Sequence, residues 1–144
     1  MKTYYYGHSL YTRGKPLKTH VDWLRKYGYL VMSLSPAYPE HLAALGANSI
    51  HIPLPDGLLT PEVIDDVMRA KNLVVERAVK HRPVLTHCNA GRNRAALVTA
   101  LAYADLAKVS GEAATVHVKQ IRTNALANER FVTFLAKYEP QPVP

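Results

Sequence analysis

Residues 84–94 read Val84-Leu85-Thr86-His87-Cys88-Asn89-Ala90-Gly91-Arg92-Asn93-Arg94. Pro83 precedes a short apolar run that suits a buried strand, and an alanine- and leucine-rich helix is expected from about Arg94 to Lys108. Between strand and helix lies a tight loop. Such a loop can curl its backbone N–H groups into a concave nest. The helix N-terminus adds partial positive charge, so the whole is suited to an anion such as phosphate. Gly91 supplies the backbone freedom that the curl requires.

The residue types in this loop suggest chemistry as well as binding. A cysteine at the base of a nest is favoured as thiolate, the nucleophilic form. Arg94 can offer a planar fork to two oxygens of one phosphate, which lysine cannot. Asn89, Ala90, Gly91, Arg92 and Asn93 are then expected to line the anion, with Arg94 folded over it. His87 has no second ligand at metal-binding spacing, so a metal role is disfavoured. Arg92 has two readings, a solvated loop charge or a contact to a second substrate anion.

Outward from this loop the chain alternates strands and helices. Residues 3–12 read as one short strand or two, 17–27 as a helix, 29–34 as a buried strand and 39–45 as a short helix. A strand at 49–52 leads into Pro53-Leu54-Pro55-Asp56-Gly57, which two prolines and a glycine make a loop. Thr60 and Pro61 open a long helix that contains Asp65 and Asp66. Ser110 caps a helix to about Asn124, and Asn128 caps a last one to about Tyr138. The tail 140–144 is expected to fray. Helices dominate late, which favours an α/β fold with a small central, mostly parallel sheet flanked by helices.

The chain has 144 residues, consistent with one domain over 1–144, and carries a formal charge of +7. A basic surface attracts polyanions, but the charge is not gathered in a tail that would mark nucleic-acid binding. Cys88 is the sole cysteine, so no internal disulfide can form. No signal-peptide core or membrane-spanning run is visible, and a cytoplasmic protein is expected.

His87-Cys88, five further residues and Arg94 match the HCxxxxxR signature of the cysteine-dependent protein tyrosine phosphatases. The resemblance extends over nearly the whole chain to the small dual-specificity type, through Leu30–Leu34, Ile52–Gly57 and the pattern Arg122, Asn128, Phe131. It implies a phosphocysteine intermediate at Cys88, with His87 orienting that cysteine. It also implies that Asp56, in a mobile loop upstream, protonates the leaving group and later accepts a proton from water. Asp65 and Asp66 are poorer candidates for that acid, because they sit inside a helix. No cofactor is implied. The expected partner is a phosphorylated protein, with a phosphoinositide or an RNA 5′-phosphate as alternatives, acted on by a monomer. One position departs from the pattern. Ala95 stands where the family usually has Ser or Thr to stabilise the departing thiolate. That departure keeps open a phosphate-binding pseudophosphatase, and otherwise predicts slow turnover.

Overall fold

The computed structural model describes residues 2–144. Among these residues five strands form one sheet in the order β1-β2-β5-β3-β4. They are β1 (Tyr4–Tyr5), β2 (Leu10–Arg13), β3 (Leu30–Ser33), β4 (Ser49–His51) and β5 (Val84–His87). Only the β1–β2 pair is antiparallel, so the expected mostly parallel sheet is what forms. The first expected strand is a hairpin pair. Gly7, His8 and Ser9 all have positive φ in its turn, the backbone that tight hairpins require.

Among the described residues, five α-helices flank the sheet: α1 (Val21–Lys26), α2 (Pro61–Ala78), α3 (Arg94–Ala107), α4 (Gly111–Ile121) and α5 (Glu129–Ala136). Thr60, Ser110 and Asn128 each cap the helix that follows, accepting from the amides of Val63, Ala113 and Arg130. Two expected helices differ in kind. Residues 17–27 divide into a 3-10 turn, Lys18–His20, and α1. Residues Glu40–Asn48 form 3-10 turns broken at Gly46, where φ is +59°. With Gly46 in that conformation, no continuous α-helix can run through the segment.

Alternation along the strands sorts the apolar residues to two faces. Leu10, Leu30, Met32 and Val84 pack with residues of α2, α3, α4 and α5 in the larger core. Val31 and Leu85 face the other way, onto Val21, Leu24, Leu42 and Leu45. Helix α3 is almost wholly buried, which explains its run of alanine and leucine. The tail does not fray at its start. The Gln141 amide donates to Asp105 at 2.9 Å, and Lys71 donates to the Gln141 side chain at 2.9 Å. No described helix is long and apolar enough to cross a membrane.

Candidate active site

Strand β5 lies at the centre of the sheet and delivers His87 and Cys88 at its carboxyl end. In parallel sheets that end is where ligands bind, outside the strand termini. The loop 88–93 then runs directly into α3. Gly91 has φ of +69°, and a Cβ there would meet the Arg13 carbonyl oxygen at 2.4 Å. Both the left-handed backbone and this close approach demand glycine, so the curl of the loop is written in one residue.

Cys88, Asn89, Ala90, Arg92, Asn93 and Arg94 line a cleft of about 270 Å³, and Asp56 closes one side of it. Cys88 is buried and Asn89 and Ala90 are exposed at the rim. The Arg94 side chain is also buried, and its Nη1 donates to the Leu54 carbonyl at 3.1 Å. Its Nε is enclosed without an acceptor. A buried guanidinium with open donors is a site that an incoming anion completes.

His87 is fully enclosed. Its Nε2 lies 2.6 Å from the Ser33 hydroxyl, and its Nδ1 lies 3.3 Å from the Cys88 carbonyl. A carbonyl can only accept, so Nδ1 carries the proton and the Ser33 hydroxyl donates to Nε2. Burial, and to a lesser degree the charge of Lys15, push the imidazole down to about 4. His87 is therefore neutral near pH 7, held on both sides, and its place is beneath the loop rather than in the cleft.

Asp56 is brought to the cleft by two amides. Asn93 Nδ2 donates to its Oδ2 at 3.1 Å, and Asn128 Nδ2 donates to its Oδ1 at 3.0 Å. Asn93 Oδ1 in turn accepts from the Asn128 backbone N–H at 3.1 Å. Asn93 thus ties the 88–93 loop, the Asp56 loop and the start of α5 together. Asp65 and Asp66 lie within α2 and do not line the cleft. Arg92 is exposed, but its Nε is tied to the Asn124 carbonyl at 2.7 Å. Arg122 has a structural place, donating to the Ala90 carbonyl at 3.0 Å and lying over the Tyr4 ring.

The sequence marks Asn128 as a cap but carries no sign of its bond to Asp56. A capping asparagine uses its oxygen on the helix and leaves its amide donors free, and that spare capacity was the available signal. Ser33 and the Leu54 carbonyl carry no such signal. Ser33 ends β3 and Leu54 lies in the loop after β4, and they become neighbours of the 88–93 loop only through sheet order.

Comparison with known proteins agrees with this geometry. The family model described as dual specificity phosphatase, catalytic domain, matches residues 26–141. None of the curated protein sequences matches the chain significantly. Among solved structures, human DUSP28 is similar with a TM-score of 0.79 at 20% identity, covering 95% of this chain and 92% of that one. Tk-PTP in its active form is similar at 0.78 and 17% identity, covering 94% and 96%. PTPMT1 in complex with PI(5)P is similar at 0.77 and 16% identity, covering 94% and 92%. With the family model matching residues 26–141 on this sheet and loop, the chain belongs to the dual-specificity phosphatase catalytic domain family.

Proposed function

We propose that the protein hydrolyses phosphomonoesters, foremost phosphotyrosine on proteins, with phosphoserine and phosphothreonine as further substrates. The observation that carries this reading is the convergence of Cys88, Arg94 and Asp56 on one small cleft. In the first step the Cys88 thiolate attacks phosphorus as the bond to the ester oxygen breaks. The Asp56 carboxylic acid gives its proton to that oxygen, which leaves as a neutral alcohol or phenol. Arg94 and the loop amides hold the three remaining oxygens and stabilise the charge spread over them in the transition state. In the second step water attacks phosphorus, the sulfur–phosphorus bond breaks, and Asp56 takes the proton from water. General acid–base help of this kind is typically worth about 10²–10⁴-fold.

Para-nitrophenyl phosphate, phosphotyrosine and phosphothreonine peptides, phosphoinositides and 5′-triphosphorylated RNA form the test panel, with Cys88→Ser as control. Hydrolysis of the phosphotyrosine peptide that Cys88→Ser abolishes is the expected result. Activity that survives Cys88→Ser overturns the cysteine mechanism. Binding of vanadate with no hydrolysis of any ester would make the protein a phosphate-binding module instead.

A further inference from the structure

Two arginine side chains are buried among the described residues, Arg94 at 7% exposed and Arg13 at 5%. Each has an enclosed Nε with no hydrogen-bond partner. For Arg94 the cleft explains this, since the phosphate of a substrate would supply the acceptors. Arg13 shows the same signature more strongly. Among the described residues its side chain makes no hydrogen bond and no ion pair. A buried cation without a counter-ion is costly, and proteins seldom keep one without a use.

Its surroundings are cationic and adjoin the phosphate loop. Arg13 ends β2 and stands in register with His87 on the neighbouring strand. Strands lie about 4.7–4.9 Å apart, so its backbone is one strand from the base of the loop. Its carbonyl touches the position of Gly91, and the Lys15 amide donates to the Asn89 carbonyl at 3.3 Å. Lys15 is half-buried and, among the described residues, enters no ion pair. No acidic residue precedes Asp22 in the sequence, and Asp22 points to solvent beside Arg25. His20 is close enough to feel Arg13. Burial first, and then the charge of Arg13, hold its imidazole below the usual value.

We propose that the corner between the end of β2 and the phosphate loop is a second oxyanion site. In it Arg13 and Lys15 receive a second phosphate of a compact polyol bisphosphate whose first phosphate lies over Cys88. The nature of the substrate rests on the phosphatase reading, whereas the anion site itself does not. The tight enclosure of Arg13 and the short step from it to the loop favour two phosphates on one small scaffold over two on an extended peptide.

The test begins with inorganic phosphate added to the Cys88→Ser full chain, followed by NMR of the His20 ring as pH is varied. An anion on Arg13 should raise the His20 pKa saturably. Lys15→Gln should weaken that response by about fivefold or more, and Arg13→Met should remove it. Lys15→Gln keeps the test alive if Arg13→Met fails to fold. A His20 ring that ignores phosphate, or a response unchanged by Lys15→Gln, overturns the site. With the Cys88-containing chain, an inositol bisphosphate should exceed the matching monophosphate in kcat/KM by about fivefold, and Lys15→Gln should erase that ratio. An advantage confined to a doubly phosphorylated peptide overturns the polyol assignment. If no phosphomonoester is hydrolysed, the phosphatase reading falls, while the His20 titration still decides the anion site.

Discussion

Ala95 is the residue at which this chain departs from the family pattern. It follows Arg94 at the start of α3 and is fully buried. On the proposed cysteine mechanism, this position offers no hydroxyl to the sulfur as it leaves phosphorus. A hydrogen bond to a charged group is worth about 1.5–3 kcal/mol, or roughly tenfold and more in rate. Rapid mixing with an aryl phosphate should therefore show a burst, and Ala95→Ser should raise the steady rate about tenfold. Absence of both would mean that breakdown of the intermediate does not limit turnover. His87 predicts a stability effect from the same neighbourhood. Its imidazole is near 4 when folded and about 6.5 in an unfolded chain. The unfolded state therefore binds the proton first. The stabilising contribution is complete above pH 6.5 and is lost as pH falls towards 4, amounting to about 3 kcal/mol. Urea unfolding across that range should show His87→Gln losing less stability than the parent by roughly that amount.

At the scale of elements, the Asp56 loop is held at Leu54 by its backbone, whose N–H donates to the Leu34 carbonyl at 3.0 Å, and at Asp56 by side chains of other segments. Pro53 and Pro55 keep it out of the sheet, and Asn93 and Asn128 supply donors to the two carboxylate oxygens. We expect Asn128→Ala to lower kcat by about tenfold on alkyl phosphates, a part of the 10²–10⁴-fold that acid catalysis supplies. On p-nitrophenyl phosphate, whose leaving group needs no proton, the loss should be small, and KM should change little on either. Asp56→Ala should show the same pattern more strongly. Equal losses on both esters would argue that these residues act on folding and not on proton transfer. The contrast between Asp56 and Asn128 also marks what the sequence disclosed. Signals confined to a few neighbouring residues were legible: Thr60 before Pro61, the glycine within the phosphate loop, and the prolines around Asp56. Contacts between distant loops were not, because nothing local in Asn128 distinguishes an amide facing solvent from one facing a carboxylate. The 3-10 turns at Glu40–Asn48 were hidden for a related reason, since their apolar residues suit either helix type.

For the whole molecule, the C-terminal segment shows how far the chain depends on closure between distant parts. Lys71 of α2 and Asp105 of α3 form a buried pair at 2.8 Å. Asp105 also accepts from the Tyr138 hydroxyl at 2.7 Å and from the Gln141 amide at 2.9 Å. Burial and the neighbouring carboxylate raise the phenol of Tyr138, which keeps it a donor. Sequence composition made residues 140–144 look like an end free to move, yet the carboxylate that anchors Gln141 lies in the middle of α3. Only the packed fold brings them together. A carboxylate satisfied by an ammonium, a phenol and a main-chain amide tethers the exposed segment at Gln141 to the buried pair between α2 and α3. Removing one member leaves the others desolvated, and breaking a buried pair costs about 3–5 kcal/mol. Lys71→Met should therefore lower stability by about that much in guanidinium unfolding. Lys71→Met with Asp105→Leu should recover part of the loss, because no lone charge then remains buried, although Tyr138 and Gln141 would still lack their acceptor. If the double variant is no more stable than Lys71→Met alone, the loss comes from packing of the lysine stem and not from the stranded carboxylate. Cutting after Glu139 separates these terms further: it deletes the Gln141 contacts but keeps the ion pair, so its effect should be smaller than that of Lys71→Met.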